Sequence, residues 1–397
     1  MSDSPWFGAL VRGLGTALRD AAGAPRERSL LGTRRAWHCV CGQAVYFHND
    51  RCLHCGRALG YEPGCRAVVA LDPARLGGGF QVLNPSRGRA GLAVRRCANH
   101  ASPAGCNWLV PAADASPWCL ACRLNRTIPD LGVAENADAW RRIEQAKRRL
   151  AAQLLGLGLP LRSRLGDDPQ RGLMFDFLAR QPGGPAIVTG HAGGLVTLDV
   201  AEADDAHREA VRSALREPYR TLLGHLRHEV GHYYWDRLVA GSAWLAPCRS
   251  LFGDERLDYG LALQQHYRQG PPADWAQRHV SAYASSHPWE DWAETWAHYL
   301  HMVDTVDTAA SFGLDASDVQ VDVPPFERAV LWQPQAPDAA AFLAFLNNWF
   351  ALTRVLNELS RSMGQADFYP FVLPAGAVPK LQFVHAVVQG AAAVAPP

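Results

Sequence analysis

The sequence predicts an α+β protein: a cysteine-rich N-terminal module, then a mostly helical domain that carries a small sheet. Three observations lead there. Eight of the ten cysteines fall into two clusters between Cys39 and Cys122, helical periodicity begins only after Pro129, and short strand-like runs precede the long C-terminal helices. With 397 residues, 48% of them apolar and 19% charged, the chain can bury a substantial core over two or three domains. A net charge of +1 argues against a dedicated nucleic-acid or membrane-surface protein. Residues 1–130 nevertheless hold 16 arginines against 8 acidic residues, so nucleic acid is disfavoured without being excluded.

Residues 1–35 read as a flexible or docking segment dotted with arginine and glycine. Its apolar run Trp6–Val11 is too short for a signal-peptide core, and no stretch approaches the ~18–20 apolar residues of a membrane span. Residues 36–130 are rich in Cys, Gly and Pro, with strand-like pieces at Val68–Leu71 and Ala93–Val94 and no helix of ordinary length. Cys39-Val40-Cys41-Gly42 and Cys52-Leu53-His54-Cys55-Gly56 form two knuckles, where glycine after the last cysteine lets backbone N–H groups turn toward the thiolates. This spacing points to a four-cysteine zinc ribbon. Cys97, Cys106, Cys119 and Cys122 form a looser second set in which His100 is an alternative member, and iron is an alternative to zinc. Cys65 and Cys248 fall outside both sets. Thiols used as metal ligands suit a reducing compartment, so the chain reads as cytoplasmic. Such a module is first a folding staple, and it also offers a surface for a protein partner.

Residues 131–397 form the second unit. Helices are expected at Asn136–Leu155, Asp204–Arg216, Tyr219–Val239, Glu255–Gln269, Pro288–Ala310, Asp338–Met363 and Lys380–Val388. Strands are expected at Leu173–Leu178, Ala186–Thr189 and Leu195–Val200, the last two as a hairpin around Gly190–Gly194.

The helix over Tyr219–Val239 contains His228-Glu229-Val230-Gly231-His232. Histidines four residues apart share one helix face and can bind one metal ion, with Glu229 beside it as a base for the metal's water. A hydrolytic zinc site needs a third protein ligand and one open position. The segment His287–His298 supplies candidates, since Glu290 and Glu294 lie one turn apart on one face. One of them can bind zinc while the other holds a ligating histidine ring. His287, Asp291 and His298 are weaker candidates.

These motifs resemble the gluzincin metallopeptidases, and Glu290-Asp291-Trp292-Ala293-Glu294 is especially similar to the ligand helix of the lethal-factor type. The resemblance implies that Glu290 is the third ligand, that Glu294 orients a histidine, and that Tyr283, seven residues before the ligand, stabilises the oxyanion. His232 to Glu290 spans 58 positions, so Leu245–Ala273, with Asp254, Glu255 and Asp258, reads as an insertion. Two cysteine clusters ahead of such a domain resemble a bacterial zinc-binding metallopeptidase family with an N-terminal zinc-ribbon domain. That resemblance implies a zincin-like fold and peptide-bond hydrolysis by a zinc-activated water with Glu229 as general base. The three ligand sets imply one catalytic and two structural zinc ions, a peptide or protein is the expected substrate, and no membrane partner is expected. Substrate backbone would add to an edge strand, for which Leu195–Val200 is the candidate. The alternatives are a non-peptide amide substrate, or a nucleic-acid-binding or regulatory protein that uses the zincin-like domain as sensor or scaffold.

Overall fold

Short valine- and leucine-rich runs, too brief for helices, become the strands of the N-terminal part. The computed structural model describes residues 35–74, 78–83, 91–181, 183–215, 217, 219–314, 319 and 326–394. The segment expected over 1–35 lies outside the described residues, apart from Arg35. Strands β1 (Trp37–His38) and β2 (Ala44–Val45) form a small hairpin. Strands β3 (Leu59–Glu62), β4 (Ala67–Pro73), β5 (Phe80–Val82), β6 (Ala93–Arg96) and β7 (Leu109–Pro111) follow as an antiparallel sheet in sequence order. Tyr61 also bridges Trp108, which curls the first strand toward the last. Leu59, Tyr61, Val69, Leu71, Val94, Trp108 and Val110 fill the interior.

A second sheet has the order β10-β11-β9-β8, formed by β8 (Asn125–Thr127), β9 (Met174–Leu178), β10 (Gly190–Ala192) and β11 (Leu195–Asp199). β8 and β11 run parallel to β9, while β10 runs antiparallel to β11. Strand β8 follows directly from the second cysteine cluster. The structure corrects the expected edge strand: β11 is interior, with Val196 paired to both His191 and Phe175, and β10 is the edge. Gly190-His191-Ala192 has too little side chain to register as a strand in sequence, yet all three residues pair with β11. Ala186–Thr189, expected as a strand, is irregular.

Helices α1 (Ala134–Gly156), α2 (Asp205–Leu215), α3 (Leu222–Tyr234), α4 (Leu245–Phe252), α5 (Tyr259–Gln269), α6 (Trp275–Arg278), α7 (Pro288–Ser311), α8 (Ala339–Ser362) and α9 (Val378–Val394) complete the described chain. The motif helix α3 starts later than expected because the Thr221 side chain caps it, accepting from the Gly224 N–H at 3.0 Å. It ends in a π-helical turn, Trp235–Val239. By length and composition α8 is long and apolar enough to cross a membrane. Phe342, Phe345, Leu346, Trp349 and Leu352 on that helix are nevertheless buried in the protein core.

The packing of α3 on α7 positions the site. A Cβ on Gly231 would lie 3.1 Å from Ala293 Cα and 3.2 Å from Trp296 Cδ1, so glycine permits the close approach of the two helices. The Trp292 indole N–H donates to the Gly231 carbonyl at 2.8 Å and fixes the register. One turn before Gly231, Arg227 donates to Asp304 of α7 at 2.9 Å, and Asp304 also accepts from Arg35 at 2.7 Å and from Arg149 at 3.1 Å. Gln153 of α1 accepts from the Arg227 Nε at 3.1 Å and donates to the Leu300 carbonyl at 2.5 Å. Arg227 immediately precedes His228, so this buried network sets the rotation of the motif helix.

Burial pushes the Asp304 carboxyl up, but the guanidinium groups of Arg35, Arg149 and Arg227 outweigh it and bring it down to about 2. That lies below the ~3.9 of an unfolded aspartate, so the stabilisation is complete above about pH 4 and is lost as pH falls toward 2. Asp304→Ala would leave Arg227 buried without its counter-charge and Arg35 with only Asp307, at 3.4 Å. Urea titration at neutral pH should show a loss of about 3–5 kcal/mol, with a flatter acid dependence below pH 4 than wild type.

Candidate functional site

A helix that starts at Leu222 and an α7 that starts at Pro288 bring three candidate ligands to one point. His228, His232 and Glu290 each offer one ligand atom, and these atoms lie within 4.8 Å of one another. His228 Nε2 is 3.0 Å from Glu290 Oε2, and His232 Nε2 is 3.6 Å from Glu290 Oε1. Glu290 is 1% exposed, yet its Oε2 accepts no hydrogen bond. A buried carboxylate oxygen without a donor is costly unless a cation supplies the missing charge. Two imidazole nitrogens and one carboxylate oxygen suit zinc, with a fourth position left for water or substrate.

The surroundings hold these groups in place. Glu294 Oε1 accepts from His228 Nδ1 at 2.7 Å, which leaves Nε2 free to face the metal, and Glu294 Oε2 accepts from the Ser281 hydroxyl at 2.6 Å. The indole of Trp289 stacks on the His232 ring, with centroids 5.0 Å apart and planes 11° apart. His191, from edge strand β10, stacks with the same ring at 6.3 Å. Glu229 is buried, and its Oε1 lies 3.3 Å from His225 Nε2. Burial pushes the Glu229 carboxyl up, while His225, His228 and His232 together bring it below its ordinary value.

The sequence-derived alternatives have other roles. His287 Nδ1 accepts from the Trp289 N–H and caps α7, Asp291 accepts from Lys380 at 2.6 Å, and His298 Nδ1 lies 2.5 Å from the Tyr369 hydroxyl. In the stretch read as an insertion, Asp254 pairs with Arg256, Glu255 pairs with Arg249, and Asp258 caps α5. Tyr283 lies close to the centre, its ring 6.0 Å from that of His228. Burial, followed by the charge of Glu290, pushes its phenol far up, so it remains a hydroxyl donor.

Both cysteine sets close. The sulfurs of Cys39, Cys41, Cys52 and Cys55 lie within 4.8 Å of one another, as do those of Cys97, Cys106, Cys119 and Cys122. Gly42 and Gly56 have φ of +87° and +71°, as knuckle turns require. Backbone N–H groups of Cys55 and His54 bring the Cys52 thiol down to about 6, while burial pushes the Cys39 thiol up to about 12. The first set is half open, with Cys41 and Cys55 exposed, while all four members of the second are buried. His100 stays outside the second set, its Nδ1 3.1 Å from the Cys106 carbonyl. Cys122 instead lies 3.9 Å from Glu144 of α1, whose carboxylate also holds Lys147 at 2.6 Å and Asn125 at 2.9 Å.

Residues 136–387 match the family described as "Putative zinc-binding metallo-peptidase", and residues 36–133 match a zinc-ribbon domain. The chain belongs to this zinc-binding metallopeptidase family. An uncharacterized protein of Mycobacterium tuberculosis strain H37Rv, Rv2568c, is 44% identical over 358 residues, covering 89% of this chain and 95% of the relative. Uncharacterized proteins of M. tuberculosis strain CDC 1551 and of Mycobacterium bovis match to the same extent. No solved structure matches significantly.

Sequence reasoning missed several neighbours of the site. His225 lies one turn before Glu229, and that spacing was visible in the chain. Its Nδ1 is 3.7 Å from Glu202, which Arg220 holds at 2.6 Å. Trp289, adjacent to the ligand in sequence, was equally within reach. His191 and Tyr259 carried no local signal, because only the sheet and the 245–273 stretch bring them in.

Three zinc ions per chain are expected by elemental analysis of protein purified in reducing buffer. The ion at His228 and His232 should leave first on chelation, because an open site exchanges faster than four thiolates. Glu290→Ala should empty that site, while Glu294→Ala should weaken it ~10–100-fold. Zinc competition titrations would exchange the two assignments if the order were reversed.

Proposed function

We propose that this protein is a peptidase that hydrolyses peptide bonds with Glu229 as general base and His228, His232 and Glu290 as the ligands of a catalytic zinc ion. The observation that carries the reading is the buried Glu229 carboxylate beside that ligand set, since a scaffold or sensor has no use for a base there. A bound zinc ion would lower the pKa of a water ligand toward neutrality and polarise the substrate carbonyl. Glu229 then takes the proton of the attacking water and delivers it to the leaving amine. His225 holds the carboxylate from behind, and Glu202 and Arg220 continue that support. Tyr283 donates its hydroxyl to the oxygen that gains charge.

Substrate backbone would lie along β10. This strand is one of the two edges of its sheet, and its His191 stacks with the ring of His232. An extended peptide added there would continue the sheet and bring a carbonyl over the metal ligands. The two cysteine sets hold structural zinc in this reading, and a reducing cytoplasm suits their thiolates. Val40, Tyr46 and Leu53 are exposed around the first set, which supports a protein partner at that end.

Glu229→Gln should keep all its zinc and lose turnover. Comparing new protein N-termini in cells carrying the wild type or this variant would identify the substrates. No difference between the two proteomes would count against proteolysis. Tyr283→Phe should keep fold and zinc while losing ~10²–10³-fold in kcat with KM little changed. Near-normal kcat would leave Tyr283 a packing residue.

A further inference from the structure

Glu290 presents its two oxygens to different neighbours. Oε2 faces His228 Nε2 at 3.0 Å and accepts no hydrogen bond, whereas Oε1, farther out at 3.6 Å from His232 Nε2, accepts from the Tyr259 hydroxyl at 2.7 Å. Tyr259 is the first residue of α5, in the stretch that separates the motif helix from the ligand helix. None of the residues of α5 is buried, and Tyr259 itself is 43% exposed. A phenol so placed would ordinarily turn to water, but three contacts hold it. Asp258 caps the helix by accepting from the Leu261 N–H at 2.9 Å. His287 Nδ1 is occupied as an acceptor from Trp289, so its Nε2 carries the proton and donates to the Leu257 carbonyl at 3.0 Å. The Tyr259 ring meets the His287 ring edge-on at 5.3 Å.

A carboxylate can attach to zinc through one oxygen or through both, and the second mode takes up space that a water or substrate oxygen needs. We propose that Tyr259 is a positioning residue that engages Glu290 Oε1 and so confines this glutamate to attachment through Oε2 alone, keeping the fourth position of the metal open. Tyr259 thus acts on Glu290 as Glu294 acts on His228, by engaging one polar atom and leaving the other for a metal ion. The Tyr283 hydroxyl interacts in turn with that of Tyr259. The proposal rests on the reading of His228, His232 and Glu290 as zinc ligands and concerns a residue outside both the His-Glu-x-x-His motif and the Glu290–Glu294 pair.

The test is Tyr259→Phe, which keeps the ring and its packing on His287 and removes only the hydroxyl. Leu261→Ala, at a residue of the same helix that is 62% exposed, serves as the control. Two readouts apply to each protein: zinc affinity of the exchangeable site by chelator competition, and the visible spectrum after cobalt(II) replaces that one ion while the cysteine sites keep zinc. Tyr259→Phe should bind ~10–100-fold more weakly, and its cobalt band should lose intensity as the second oxygen joins the metal. Leu261→Ala should match the wild type in both. Unchanged or tighter zinc binding together with an unchanged spectrum in Tyr259→Phe overturns the proposal. Peptidase activity enters neither readout, so a protein that behaves as expected here yet cleaves no peptide overturns the proposed hydrolysis alone. A wild type without an exchangeable zinc overturns both.

Discussion

The close packing of α3 on α7 at Gly231 is the constraint on which the site depends. Two helices with ordinary side chains at their contact sit 8–10 Å apart, and any residue larger than glycine at position 231 meets the backbone of Ala293. That closeness brings the carboxylate of Glu290 within 3.0 Å of an imidazole on the other helix. The indole of Trp292 and the salt-bridged Arg227 then fix sliding and rotation, two motions that glycine alone leaves open. The motif's variable position is therefore part of the geometry, although it has no side chain to contribute chemistry.

Beside that contact two carboxylates of the ligand helix use their oxygens differently. Glu294 divides its oxygens between His228 and Ser281, while Glu290 gives one oxygen to Tyr259 and leaves the other unpartnered. Glu290 Oε2 is the unpartnered buried oxygen that faces an imidazole of the motif helix, the place where a cation would supply the missing charge. The same division of labour recurs at the second cysteine set, where Glu144 gathers Lys147 and Asn125 beside Cys122.

Much of this was legible in the chain. His228, Glu229, His232, Glu290 and Glu294 are local in two helices, and helical period turns sequence spacing directly into spatial proximity. The cysteine knuckles were legible for the same reason, since a tight turn needs few residues and announces itself through glycine. What could not be read depends on long-range pairing. The edge position of β10 follows from how three other strands align, and three residues of glycine, histidine and alanine do not specify that. Tyr259 reaches Glu290 across 31 positions through an irregular connection, so no periodicity links them. The five-stranded N-terminal sheet appeared in sequence only as two fragments, because its strands are short and its turns irregular.

Strand β8 has a consequence for how the molecule holds together. It begins three residues after Cys122 and hydrogen-bonds to β9, so the cysteine-rich half contributes an outer strand to the sheet beside the candidate metal centre. Glu144 and Lys147, both fully buried, lie at the same seam. The composition of the chain changes abruptly near Pro129, but its hydrogen bonding does not. Separated there, the helical half would carry a bare strand edge and a buried charge pair newly open to water, both of which favour association with the wrong partner. The two halves are better understood as one continuous fabric with a change of thread than as beads on a string.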